Sequence, residues 1–205
     1  MRSLFFLLTL SAANAATTAT PSFAVSTIIP DNNIIGVADS RTVTTSITEI
    51  TSIEVAINLT GGWNGDLYAY LSYAGGFAIL LNRPGRSQVL PDGSGSSGMA
   101  VIFSDAAAFD IHTAIPSNGM VVGLYQPDGR NVDPANSLDT TPRSAFLGSF
   151  AGINPNGEWT LYIADASPGG VTNFQSWSLA VTGVPEPSCG MLIVGGAWIC
   201  LRRRR

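Results

Sequence analysis

The sequence contains no lysine, one histidine and two cysteines, and only 12% of its residues are charged. Each scarcity removes a class of chemistry. Both cysteines, Cys189 and Cys200, fall in an apolar stretch near the C-terminal end, so the body of the chain has neither a disulfide nor a thiolate metal site, and packing must supply its stability. A serine or cysteine nucleophile needs a base beside it, and His112 is the single imidazole on offer. Neither a Gly-x-Ser-x-Gly elbow nor a His-Glu-x-x-His pattern occurs, so no catalytic residues are expected. His112 closes the mixed segment FDIHT and reads as an ordinary surface or turn histidine. Between positions 17 and 183 the only cations are Arg41, Arg83, Arg86, Arg130 and Arg143, five against thirteen acidic residues, a formal charge of −8. A surface of that sign repels phosphate backbones, which excludes nucleic acid as a partner and leaves hard cations and neutral glycans. A helical apolar period is missing from 23 to 183, apart from at most one short turn within Asp105 to His112.

What remains is the vocabulary of strands. At 205 residues, 45% of them hydrophobic, the chain is long enough for one domain with a sizeable core and too short for two. Ile53, Val55, Ile57 and Leu59 alternate with Glu54, Ala56 and Asn58, the period of a half-buried strand. Leu67, Ala69, Leu71 and Tyr73 repeat the pattern, as do Trp159, Leu161 and Ile163, and then Trp177, Leu179 and Val181. Trp159 and Trp177 thus read as core aromatics. Turn clusters separate the runs: TGGWNG at 60–65, PDGSGSSG at 91–98, PDG at 127–129, NPNG at 154–157 and SPGG at 167–170. This regular alternation of strand and turn predicts an all-β antiparallel sandwich or barrel.

Several patterns within that frame have a chemical reading. Gly93, Gly95 and Gly98 satisfy Gly-x-Gly-x-x-Gly, but a strand-like run follows them where the dinucleotide fingerprint needs a helix, so the segment reads as a loop. Calcium is the candidate ion, with Asp66, Asp105 and Asp165 each beside a strand end. Asp128, Asn131 and Asp133 are close in sequence but lack the glycine and glutamate of an EF-hand; solvated acidic loops are the plainer reading of both sets. The triplet Asn58, Leu59 and Thr60 fits a glycosylation acceptor by chance. Trp63, Tyr68, Tyr70 and Tyr73 are candidates for sugar stacking. Tyr68 and Tyr70 lie opposite the Leu67/Leu71 face, where they are either exposed or covered by a second sheet.

The termini carry addresses. Arg2, the apolar run Leu4 to Leu10 and the small residues ending in Ala13 and Ala15 have the three-part layout of a secretory signal, cleaved after Ala15; the run is too short to span a bilayer. Residues 16–22 read as a flexible lead-in and 23–183 as the folded domain. From 184 onward, Pro185, Glu186 and Pro187 precede an apolar segment, Cys189 to Leu201, which as a short helix is about 20 Å long against a hydrocarbon core of about 30 Å. Arg202, Arg203, Arg204 and Arg205 end the chain and would stay on the cytoplasmic side, a marginal anchor with the domain facing outward.

The string VPEPS at 184–188, followed by that apolar segment and the arginine cluster, resembles the PEP-CTERM sorting signal of Gram-negative bacteria. The resemblance implies an exosortase, a membrane cysteine transpeptidase or protease, that recognises Pro185, Glu186 and Pro187 and removes the tail, with Arg202 to Arg205 as stop-transfer cluster. The shortness of the apolar segment is the one departure. The domain itself is similar to the P domain, or Homo B domain, of subtilisin-like proprotein convertases: GDL at 65–67, FSDA at 103–106, FAGINPNGEWTL at 150–161, Asp165 and SWSL at 176–179 carry the likeness over roughly 23 to 182. That resemblance implies a jelly-roll antiparallel β-sandwich of the galactose-binding-like type, a module that sits beside a protease domain and supports its folding. Three functions follow as expectations. The first is a non-catalytic surface or extracellular-matrix protein, sorted by an exosortase after transient inner-membrane anchoring. The second is a glycan- or exopolysaccharide-binding module, and the third an accessory to a serine endopeptidase encoded elsewhere.

Overall fold

Alternation of large apolar with small or polar residues builds strands here, and glycine, proline and asparagine end them. A computed structural model describes residues 16–20 and 22–185. The expected signal with Ala13 and Ala15, and the tail with Glu186, Pro187, its apolar helix and Arg202 to Arg205, lie outside the described residues. Ten strands follow in order: β1 (Ala16–Ala19), β2 (Phe23–Ile28), β3 (Asn33–Val43), β4 (Ile47–Gly61), β5 (Leu67–Tyr73), β6 (Gly76–Asn82), β7 (Met99–Phe103), β8 (Val121–Tyr125), β9 (Gly157–Asp165) and β10 (Thr172–Pro185). Short 3-10 turns at Asn64–Asp66, Ile111–Thr113, Pro134–Asn136 and Leu147–Phe150 interrupt the loops.

The strands form two sheets. One has the order β1-β10-β4-β7-β8, with β2 sharing the outer edge of β10 with β1; the other has the order β3-β9-β5-β6. The architecture is a β-sandwich, jelly-roll-like, and departs from the expected all-antiparallel pattern at one place: β7 and β8 run parallel, Met99 beside Val121 through Phe103 beside Tyr125. The connection between them, 104–120, crosses over instead of turning back, which is what a parallel pair requires. Two boundaries also differ from the sequence reading. Part of the lead-in is strand β1, paired with β10 from Ala16–Gly183 to Ala19–Ala180. β10 continues past 183, so that Val184 faces Glu49 and Pro185 faces Ile47 across a register shift. Such an irregularity at a strand end is where a residue without an N–H donor is tolerated.

The alternating positions bury as the pattern predicts. Ile53, Val55, Ile57 and Leu59 of β4, Leu67, Ala69 and Leu71 of β5, Trp159, Leu161 and Ile163 of β9 and Trp177, Leu179 and Val181 of β10 all face the space between the sheets. A bulge at Gln175 in β10 lets both Phe174 and Trp177 face inward although they are three residues apart. The two tryptophans find partners for their N–H groups without leaving the core. Trp159 donates to Pro155 O at 2.9 Å and stacks on Tyr73 with ring centroids 4.2 Å apart. Trp177 donates to Asp39 Oδ2 at 2.7 Å, a bond that ties one sheet to the edge strand of the other.

Replacing Trp159 by alanine removes a fully buried ring and should cost about 3–5 kcal/mol of stability. Asn58→Ser, on the exposed face of β4, should change stability by less than about 0.5 kcal/mol. Denaturant midpoints of the two variants test the difference.

Candidate functional site

Three loops meet at one end of the sandwich and bring acidic side chains together there. The 3-10 turn Asn64–Asp66 places Asp66 at the entrance to β5, while Asp165 ends β9 opposite Leu67. Asp31 comes from the β2–β3 turn, where its Oδ1 accepts the Gly169 N–H at 2.9 Å. Gly65 of the GDL string has no room for a side chain: a Cβ would lie 2.5 Å from both Asp92 O and Ser94 N, so the 91–98 loop packs its backbone directly against this turn. Asp66 and Asp165 are both essentially buried. Asp165 Oδ1 accepts the Ser167 N–H at 3.1 Å, and the Asn32 N–H also donates to this carboxylate. Asp66 Oδ1 lies 3.5 Å from an Arg83 guanidinium nitrogen, whose Nε donates to Gly65 O. The second oxygen of each carboxylate, Oδ2, has no hydrogen-bond partner.

The electrostatics follow from that burial. Loss of solvent, then the neighbouring Asp165 charge, push Asp66 up to about 6, and Arg83 offsets only part of the rise. Burial likewise raises Asp165, against the pull of its two backbone N–H bonds, and burial lowers Arg83. Of the three expected calcium ligands the structure thus brings two together. Asp105 lies elsewhere and accepts the N–H groups of Leu147 and Gly148 at 3.1 and 2.6 Å. Among the described residues, no three His, Cys, Asp or Glu side chains converge as metal ligands. Asp128 and Asp133 are committed too, the latter to the Ala135 N–H.

His112 is not a surface histidine. It is 3% exposed, with Nδ1 2.9 Å from Asp128 Oδ2 and Nε2 2.9 Å from Arg86 O. Asp110 made the difference: its side chain accepts the His112 N–H, starts the 3-10 turn and turns the ring inward. A carbonyl only accepts, so Nε2 carries its hydrogen toward Arg86, and no hydroxyl or thiol faces either nitrogen. Both ring nitrogens are thus taken by internal partners, and the ring ties its turn to Asp128 and to Arg86. Arg130 extends the network through Asp110 (2.9 Å) and Asp128 (3.1 Å), while Arg86 and Arg143 bond the carbonyls of the 127–137 segment and of Pro91.

The expected stacking residues separate into three places. Tyr68 and Tyr70 do share the outer face of the β3-β9-β5-β6 sheet, and Tyr162 and Phe77 join them. These two went unnoticed in the sequence because they sit on other strands, and only pairing brings them alongside. Tyr70 and Tyr162 stack with centroids 4.7 Å apart, so their facing surfaces are covered. Burial, then the neighbouring Tyr70 and Tyr162, push the Tyr68 hydroxyl up to about 12. Tyr73 belongs to the core side, stacked on Trp159 with its hydroxyl donating to Asn154 O and Asn156 O. Trp63, 48% exposed, packs beside Gly169 at the acidic end.

Comparison with known proteins adds a family likeness. Residues 103–181 match the family model of the Proprotein convertase P-domain, a stretch that runs from the end of β7 into β10. It supports a P-domain module in the second half of the sandwich. No curated protein matches the chain. Among solved structures, the complex of the Aeromonas sobria serine protease with its chaperone is similar at 17% identity and a TM-score of 0.44, covering 82% of this chain and 27% of that one. The structure of the Aeromonas sobria serine protease gives 16% identity, a TM-score of 0.43 and the same coverages. The chain spans about a quarter of the length of these structures.

His112→Ala should cost about 2–4 kcal/mol, because it leaves buried Asp128 short of a partner and the Arg86 carbonyl unpaired. Thermal unfolding should register this as a lower Tm. The sign for Asp66 is opposite to the usual carboxylate case. With its folded value at about 6, above the ordinary 3.8, its contribution is fully present below that ordinary value and is lost as the pH rises through about 6. Chelator-treated protein should lose stability over that interval, and Asp66→Asn should flatten the slope in urea titrations at pH 4 and pH 7.

Proposed function

We propose that this chain is an exported, non-catalytic P-domain module that supports a subtilisin-like serine protease encoded elsewhere, acting on it in trans. The observation that carries the reading is the P-domain match over 103–181. The residues around it favour a supporting role over catalysis: the lone imidazole is locked between a carboxylate and a carbonyl. All five arginines of the described residues are spent on internal contacts, which leaves the surface anionic and suits a basic face on the partner. Beside it, Ile102, Val122 and Leu124, between 43% and 50% exposed, stand on the outer face of β7 and β8 as an apolar contact area. Adding the purified chain to a protease from the same genome should slow its heat inactivation or raise its refolding yield. No change in either quantity would sink the proposal.

A second reading concerns delivery and is compatible with the first. The PEP-CTERM resemblance makes the chain an exosortase substrate, held at the inner membrane and then released to the cell surface or beyond. It is favoured by the sequence order of VPEPS at 184–188, the apolar segment Cys189 to Leu201 and the arginine cluster Arg202 to Arg205. Among the described residues no helix is long and apolar enough to cross a membrane. Mass spectrometry of the exported protein should find a C-terminus near Pro187. An intact chain ending in Arg205 in the mature fraction would overturn this reading.

A further inference from the structure

The two buried carboxylates at the loop end are built like half of an ion site. Each uses one oxygen internally, Asp165 Oδ1 on the Ser167 N–H and Asp66 Oδ1 toward Arg83, and each leaves Oδ2 buried without a partner. An unpartnered buried carboxylate oxygen is costly, and its removal from water must be offset by something that binds it. Arg83 does not do so. Its Nε is taken by Gly65 O, its 3.5 Å contact is on the other oxygen of Asp66, and Asp165 weighs on Asp66 more than Arg83 does. Asp31 adds negative charge felt by both carboxylates. An open groove lined by Asn32, Arg83 and Ala166, each next in sequence or in contact with one of these acids, runs alongside.

We propose that Asp66 and Asp165 bind one calcium-sized divalent cation between the Asn64–Asp66 turn and the end of β9, with Asp31 of the β2–β3 turn adding negative charge but no ligand. The donors are oxygens only, and the single histidine is committed to Asp128 and the Arg86 carbonyl, so the site suits a hard ion and disfavours zinc or copper. Calcium is favoured over magnesium because one carboxylate sits on an irregular turn and the other at a strand end, and calcium accepts an irregular shell completed by carbonyls and water. Bound there, the ion ties the Asn64–Asp66 turn to the end of β9. This inference does not depend on the protease-supporting role, and either can fail alone.

Equilibrium dialysis of the full chain with calcium should give one saturable site. Calcium at about a hundredfold excess over Kd should raise Tm by roughly 5–10 °C, with magnesium giving less. Asp66→Asn and Asp165→Asn should each abolish the binding, whereas Asp105→Asn should retain it. Should the carboxylate variants fail to fold, terbium reports the place instead. Trp63 lies next to the site, its carbonyl accepting the Asp66 N–H at 3.1 Å, so its excitation should sensitise terbium emission in the wild type that calcium displaces and Trp63→Phe loses. Absence of saturable calcium binding by the wild type, survival of that binding in the Asp66/Asp165 double variant, or terbium emission indifferent to Trp63→Phe would overturn the site.

Discussion

The antiparallel ladder between β4 and β10 is the contact on which the rest of the sandwich depends. It joins Ile47–Gly61 to Thr172–Pro185, two segments more than a hundred residues apart, from Thr172 opposite Gly61 to Pro185 opposite Ile47. β1 and β2 attach to the free edge of β10, and β7 attaches to that of β4 with β8 beyond it. Until that ladder closes, none of the flanking strands has an edge to join, and its inward row of Ile53, Val55, Ile57, Leu59, Trp177 and Leu179 has nothing to face. Long-range pairing of this kind is slow to form because loop closure must precede the contacts that reward it. A module with that history gains from loops held firmly at both ends.

Those loops are held by arginine and buried acid. Arg86 gathers the carbonyls of Pro91, Pro134, Ala135 and Ser137, and Arg130 links Asp110 and Asp128 to the carbonyls of Leu138 and Asp139. A planar cation with several fixed donors can satisfy backbone oxygens of a segment that has no sheet partner, which lysine, absent from this chain, does less well. The same use of arginine leaves few free cations on the surface: Arg83 and Arg130 are buried, and Arg41, Arg86 and Arg143, half-buried, are bonded to acids or carbonyls of this chain.

Much of the fold was legible because period-two burial is a local property. The alternating residues of β4, β5, β9 and β10 stand inward where the pattern put them, with Phe174 brought in by the bulge, and the turn clusters do separate strands. The parallel β7–β8 pair was not legible, since nothing in a five-residue apolar run states the direction of its neighbour. β1 went unread for a related reason: its four residues, ATTA, become a strand only because the edge of β10 is open beside them. His112 does stand in a turn, but its burial was not legible because it depends on Asp128 and on the Arg86 carbonyl, partners 16 and 26 positions away.

The candidate site divides along the same line. Composition and spacing alone pointed to an all-β domain, an anionic body and a short list of acidic residues at strand ends. Which acids meet was decided by tertiary structure. Asp66 and Asp165 stand 99 positions apart and become neighbours because β5 pairs with β9, while Asp105, alike in sequence context, is drawn instead to the N–H groups of Leu147 and Gly148. Strand pairing converts distant residues into a shared charge environment, and burial then makes that charge consequential. Neither is a property of any one segment.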